Sequence, residues 1–165
     1  MKANIAYLKY IIRHKWYVYL ASKKVGVSFW RALVHDWTKL LPSEWKPYRD
    51  TFYKEDGTKQ YKPTTEFEYA WNAHQKRNKH HWQYWLITFD KGNTEFLEMP
   101  EVYVREMVAD WIGAGWAITG DPNNVHGWYE SNNHAMKLSI KTRAVVERIL
   151  GDLRLDSYTD NFSAE

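Results

Sequence analysis

The apolar residues of this 165-residue chain are mostly large rings separated by charged residues, not long aliphatic runs. The sequence contains 10 Trp, 12 Tyr and 6 Phe, yet its mean hydropathy is −0.68 and 26% of its residues are charged. Disordered chains are poor in aromatic residues, so a folded protein is expected. A chain of this length suits one domain with one hydrophobic core.

Several classes of protein are excluded by what the sequence lacks. No apolar stretch approaches the ~20 residues that a membrane helix needs, and the charged first segment lacks the apolar region of a secretory signal. Cysteine is absent, which removes disulfides, thiolate metal ligands and a cysteine nucleophile. These features predict a cytoplasmic protein, in the host cytoplasm if it is phage-encoded, with no membrane partner.

The charge balance is mildly basic, with 23 Lys and Arg against 20 Asp and Glu and a net charge of +3. That balance permits an anionic substrate but falls short of a dedicated nucleic-acid binder. We therefore expect a small phosphorylated partner and no stable nucleic-acid complex. A homodimer is left open.

Apolar residues at steps of three and four predict an all-α, mainly helical chain with one small β-hairpin. The predicted helices cover residues 3–25, 28–41, 43–52, 64–78, 100 to 113 or 119, 124–131 and 139–153. Residues 79–85 continue the fourth helix or bend away from it, and 86–99 form the hairpin with Gly92 and Asn93 in its turn. We expect one domain over 1–155 and a polar, frayed tail over 156–165.

The apolar faces of the first and last helices are predicted from the same periodicity. On the first helix the recurring residues are Ile5, Leu8, Ile11, Ile12, Trp16, Tyr19 and Leu20. On the last helix the residues expected to face inward are Ile140, Val145, Val146, Ile149 and Leu150.

His35 is followed directly by Asp36 within the second predicted helix. Adjacent residues on a helix are about 100° apart, so both could reach one ion only from the edge of the buried face. A neutral nitrogen with a hard oxygen suits Mn, Fe, Co, Ni or Zn. The alternative is that His35 caps or packs while Asp36 pairs with Lys39.

Further candidate ligands lie on or beside other predicted helices. Asp110 sits among apolar neighbours, with Glu106 one turn earlier on the same face. A carboxylate buried there needs a metal or a cation from another helix, because an unpaired buried charge is costly. The other histidines on or near helices are His14, His74, His80 and His81. His126 and His134 are expected at the surface.

The order of these residues resembles that of the HD superfamily of metal-dependent phosphohydrolases. It runs from His14 through His35-Asp36 with Lys39 (VHDWTK), His74 and His80-His81 to Asp110. In that superfamily a first His, an adjacent His-Asp pair and a distant Asp bind one metal in a helical bundle, and two-metal members add His residues between. The resemblance therefore implies an HD-like bundle.

A second resemblance covers roughly residues 5–150. The stretches LVHDWTKLLPSEW, AWNAHQKRNKHHWQYW and MPEVYVREMVADWIGAG are similar to a family of uncharacterised phage and bacterial proteins, which brings no established activity. Departures from the HD pattern leave the substrate branch open. The interval from His14 to His35 is short, Lys39 replaces the Glu of some single-metal nucleotidases, and the Gly-Tyr-Pro signature of the cyclic-dinucleotide branch is absent.

The HD resemblance implies hydrolysis of a nucleotide or related phosphoester, either a monoester or a diester. One or two divalent ions (Mn, Fe, Co, Ni, Zn or Mg) would activate the attacking water. The implied metal ligands are His14, His35, Asp36, His74, His80, His81 and Asp110. The implied catalytic residues are Asp36, Lys39 and His81. The residues expected to bind substrate are Arg13, Lys15, Arg77, Lys79 and Trp82.

Two other interpretations remain open on the sequence alone. One is a non-enzymatic phage or bacterial module that binds a nucleotide, a nucleic acid or a host protein. The other is a purely structural His cluster. Rings near the histidines either stack on a base or pack in the core. These rings are Trp37, Trp71, Trp82, Tyr84 and Trp85.

Overall fold

The computed structural model describes residues 1–162, with side chains placed through Arg154. Within that range the chain is helical with one small hairpin, as predicted. The seven helices of this range are α1 Lys2–Val25, α2 Phe29–Val34, α3 Pro42–Phe52, α4 Thr65–Arg77, α5 Glu101–Thr119, α6 Asn124–Asn132 and α7 Ile140–Phe162. Short 3-10 turns cover Trp37–Leu40, Trp82–Trp85 and Asn133–Ala135.

The hairpin consists of β1 (Leu86–Thr88) and β2 (Thr94–Phe96), paired antiparallel with Ile87 opposite Glu95. Gly92 lies in its turn with a φ of 85°, the left-handed region that glycine adopts without steric cost. Residues 79–85 bend away from α4 and end in the 3-10 turn that leads into β1.

Local signals explain where several helices begin and end. The Thr64 side chain accepts a hydrogen bond from the backbone N–H of Phe67 and so caps α4. Gly26 ends α1 in the left-handed conformation. The last helix extends past its predicted end at Leu153, and its backbone stays helical through Phe162 instead of fraying from Asp156. Residues 163–165 of the predicted tail lie outside the described residues.

Helix α1 contributes to two apolar clusters and carries the candidate ligand His14 between them. Tyr7 and Ile11 belong to a cluster with α3 and α4, whereas Val18, Ala21 and Val25 belong to a larger cluster with α5, α6 and α7. His14 lies on the same buried face, one turn from each cluster, and is 2% exposed. The two clusters thus place the candidate site near the centre of the molecule.

The apolar face predicted for α1 does not coincide with the face that the structure buries. Of the seven residues named for it, only Ile11 is buried, and Ile5, Leu8, Ile12 and Trp16 are exposed. The buried face instead includes polar His14 and Ser22, which hydrophobic periodicity does not detect. On α7 the inward prediction holds for Val146, Ile149 and Leu150, with Val145 partly buried; it fails for Ile140, which opens the helix and is 90% exposed.

The backbones of α1 and α5 are in direct contact at Gly113. A Cβ added there would lie 2.5 Å from Val18 Cγ2 and 2.6 Å from the Val18 backbone nitrogen. Only glycine permits this approach. The close packing sets the separation between His14 on α1 and Asp110 on α5.

We predict that Gly113→Ala destabilises the fold by about 2 kcal/mol or more, because the methyl group collides with backbone that cannot rotate away. The melting temperature should fall by at least about 4 °C for a domain of this size. Gly115→Ala is the matched control on the same helix. Its added Cβ comes no closer than 3.4 Å to Asn124, so that variant should melt near the wild type. Equal melting of the two variants would contradict the proposed close contact.

Candidate metal centre

The His35-Asp36 pair occupies a turn, not the helix that the sequence predicts. Helix α2 ends at Val34, and Asp36 has a φ of 54° and ψ of 23°, the one positive φ of a non-glycine residue in the described chain. The Lys15 ammonium donates hydrogen bonds to the backbone carbonyls of Leu33 at 3.0 Å and His35 at 2.5 Å. The turn therefore directs both side chains inward, where consecutive helical residues would diverge.

The first ligand group consists of His14, His35, Asp36 and Asp110, drawn from α1, the turn and α5. Asp110 Oδ1 lies 3.2 Å from His14 Nε2 and 3.3 Å from His35 Nε2. Asp36 Oδ2 lies 3.6 Å and 3.5 Å from the same two nitrogens. The four candidate ligand atoms lie within 4.8 Å of one another, a spacing that one bound cation could span.

The second ligand group consists of Asp36, His74, His80 and His81. The other oxygen of Asp36, Oδ1, lies 3.2 Å from His74 Nε2 and 3.3 Å from His80 Nε2. These four also offer atoms within 4.8 Å of one another. The two oxygens of a single carboxylate thus face two separate sets of imidazole nitrogens.

The donor atoms fit a divalent metal because their mutual contacts satisfy them poorly. Among the described residues, both Asp36 oxygens and the Nε2 atoms of His14, His74, His80 and His81 are buried without a hydrogen bond of proper geometry. Orphaned buried polar atoms are rare in native proteins. A cation would satisfy this cluster of nitrogens and oxygens at once, and the donor types suit Mn, Fe, Co, Ni or Zn.

Two carboxylates outside the predicted set of metal ligands, Glu106 and Glu44, contact the outer nitrogens of the candidate ligand histidines. Glu106 Oε1 lies 3.2 Å from His35 Nδ1 and 3.4 Å from His80 Nδ1, and Arg31 donates to its other oxygen. His35, His80 and Glu106 also form a third set of potential ligands. The position of Glu106 one turn before Asp110 was a sequence signal for its place in the site.

Glu44 performs the same task for His74. Its Oε2 lies 2.8 Å from His74 Nδ1 and accepts a hydrogen bond from the Thr38 hydroxyl, while Arg77 donates to Oε1 at 2.9 Å. Glu44 is completely buried. Carboxylates in this position fix the tautomer and orientation of metal-binding imidazoles. Its position near the start of α3 gave no sequence signal for this role.

The charges of the site are strongly coupled. Burial opposes charge on His35, but the Asp36 charge and contacts with Asp110 and Glu106 raise its pKa to about 10. Burial likewise opposes charge on Asp36, yet His35 and Lys39 hold the pKa of Asp36 well below its usual value. Burial and the charge of His80 lower the pKa of His81, which keeps that imidazole neutral.

Lys39 lies at the edge of both ligand groups. Its Nζ is 2.5 Å from Asp36 Oδ2, and its side chain is 13% exposed. Burial would lower the pKa of Lys39, but the Asp36 charge holds it well above its usual value. The pairing of Asp36 with Lys39, an alternative from the sequence, coexists with the imidazole contacts.

The residues predicted to bind substrate each have different contacts in the structure. Arg13 donates to the Ala117 carbonyl and lines a cleft beside the ligand groups. Lys15 and Arg77 make the contacts given above with the turn and with Glu44. The Lys79 ammonium lies 5.9 Å from the Tyr84 ring centre and 5.7 Å from that of Tyr103. Their substrate contacts stay predictions.

The rings named as candidates for base stacking differ in their surroundings. Trp82 and Trp85 pack against the larger apolar cluster. Trp37 is 55% exposed. Trp71 stacks on His74 with ring centres 5.8 Å apart and lines the cleft.

A protein-family model described as "Family of unknown function (DUF5662)" matches residues 3–152. The match covers most of the chain, which therefore belongs to this family. No curated protein and no solved structure matches the chain.

We predict that Glu106→Gln and Glu44→Gln each weaken metal binding by about 10- to 100-fold, the usual cost of losing an outer carboxylate. Affinity can be measured by competition with a chelator of known strength. Glu101→Gln is the matched control, since Glu101 lies on α5 but is exposed and paired with Arg105 and Arg148. Unchanged affinity in both buried variants, with the fold intact, would contradict their orienting role.

Proposed function

We propose that this protein is a metal-dependent phosphohydrolase of the HD type, acting on a nucleotide or a related phosphoester. The observation that carries the proposal is the Asp36 carboxylate, whose two oxygens face two separate groups of imidazoles. A carboxylate so placed suits a site for two ions held close together. The order of the ligands along the chain, which resembles the HD superfamily, supports the same activity.

The residues that would hold the ions divide between the two groups. His14, His35 and Asp110 would bind one ion, His74, His80 and His81 the other, and Asp36 would bind both. Divalent ions in such a site supply an activated water nucleophile and polarise a phosphoryl oxygen. The inward turn at Asp36 and the carboxylates behind the imidazoles keep the ligands in place before substrate arrives.

Fixed positive charge near the ligand groups supports the choice of a phosphoester. Lys39 is charged and partly accessible beside Asp36, and Arg13 lines the adjoining cleft. Lysine and arginine are the side chains that most often bind phosphate oxygens. In the proposed reaction Lys39 would hold the phosphate, and neutral His81 would bind metal or accept a proton.

The proposed setting is the cytoplasm, with a small phosphorylated molecule as the partner. No helix in the described part of the chain has the length and apolar character needed to cross a lipid bilayer. A sequence without cysteine is compatible with a reducing compartment, since its fold needs no disulfide. The mild net charge supports a small substrate over a nucleic-acid polymer.

The test combines metal analysis with phosphate release in one set of variants. Purified protein should contain up to two divalent ions per chain and release phosphate from one or more members of a nucleotide panel with Mn²⁺ or Co²⁺. Asp36→Asn should lower the activity by more than the ~100-fold expected for loss of a carboxylate behind a ligand histidine. Asparagine tolerates the left-handed backbone of this position, so the turn should persist.

Asp90→Asn, an exposed acid beside the hairpin turn, is the matched control and should behave as the wild type. Full metal content and full activity in Asp36→Asn would refute the proposal. Nucleotide binding without turnover in the metal-loaded wild type would favour the non-enzymatic module.

A further inference from the structure

A cleft of about 520 Å³ adjoins the two ligand groups, within the range of ~300–1,000 Å³ typical of small-molecule sites. Its walls come from α1, α3, α4, the 3-10 turn with Lys39, the segment after α3 and the end of α5. Eight of its thirteen described lining residues are aromatic, three are cationic and none is acidic. We call this cavity the aromatic cleft.

Two rings of the aromatic cleft stack on candidate metal ligands. Tyr10 stacks on His14 with ring centres 5.9 Å apart, and Trp71 stacks on His74 at 5.8 Å. Lys39 lines the cleft and contacts Asp36. A molecule inside the cleft would therefore have one end at Lys39 and the ligand groups, with the remainder among the rings.

Two hydroxyl groups in the cleft walls point to a polar ligand. Tyr7 and Tyr48 are 1% and 6% exposed, and within the described chain their hydroxyls have no hydrogen-bond partner. A tyrosine hydroxyl carries its proton at neutral pH, so each of the two can donate a hydrogen bond. Unmade hydrogen bonds at buried donors are costly, and a sugar or phosphate oxygen would satisfy them.

We propose that the aromatic cleft binds the nucleoside part of a mononucleotide, with its phosphate directed toward Lys39 and Asp36. The role of the cleft as a substrate site rests on the proposed hydrolase function. It narrows the proposed substrates from phosphoesters in general to monophosphates that carry a planar base. Stacking on aromatic rings binds any base through its π-face. Arg13, Lys39 and Lys59 complement the negative charge of the phosphate.

Tyr61 allows the cleft to be tested without disturbing the core. Its ring lines the cleft and is 70% exposed, packing against Phe52 at 5.7 Å between ring centres. Main-chain hydrogen bonds hold it from both sides, because Gln60 donates to the Phe52 carbonyl and Lys62 to the Thr51 carbonyl. Removing the ring leaves those bonds in place.

The experiment compares nucleoside 5′-monophosphates with ribose 5-phosphate, which carries the same phosphate and sugar without a base. Binding is measured by calorimetry and hydrolysis by phosphate release, both with Mn²⁺. The wild type should bind the nucleotide more tightly than ribose 5-phosphate. Tyr61→Ala should weaken nucleotide binding about tenfold, as expected for one lost stack, and leave ribose 5-phosphate unchanged. Tyr69→Ala is the control, a similarly exposed ring on α4 outside the cleft lining.

The outcomes separate this inference from the proposed function. Equal binding and hydrolysis of the two ligands, insensitive to Tyr61→Ala, would overturn the base-binding cleft while leaving the hydrolase intact. Nucleotide binding that depends on Tyr61, with no hydrolysis of either monophosphates or diesters, would support the cleft and refute the hydrolase. Hydrolysis of diesters alone, with no binding of monophosphates, would overturn the inference.

Discussion

Both ligand groups depend on the Asp36 carboxylate, which belongs to each of them. It lies within 3.6 Å of four imidazole nitrogens and 2.5 Å of the Lys39 ammonium. Its backbone takes a conformation that few side chains adopt, and Lys15 secures the carbonyl of the preceding residue. This backbone geometry is unfavourable, but it directs a single carboxylate into the space between four elements of the fold.

The packing of α1 on α5 determines where His14 and Asp110 lie relative to each other beside Asp36. At Gly113 the two backbones touch, so the distance between His14 and Asp110 follows from main-chain contact and depends little on side-chain rotamers. The apolar clusters on either side of His14 keep α1 in register with its neighbours. A polar centre of five imidazoles and several carboxylates is thereby held between two hydrophobic cores.

Much of the fold was accessible from sequence because helix periodicity, capping residues and the Gly-Asn turn are local signals. The ligand order was accessible too, and the structure brings all seven predicted ligands together. The turn at Asp36 was not predicted, because the apolar residues around it continue a helical pattern and the contact from Lys15 is tertiary. Glu44 and the aromatic cleft were missed for the same reason, since each is defined by segments distant in the chain.

The position of Glu106 has a thermodynamic consequence. One of its oxygens contacts the outer nitrogens of His35 and His80, which belong to different ligand groups. In the proposed two-ion site, an ion that oriented either imidazole would also fix the shared carboxylate, and the other imidazole would then lose less freedom on binding its own ion. The two positions would thus be linked, and by reciprocity each ion would change the affinity of the protein for the other by the same factor.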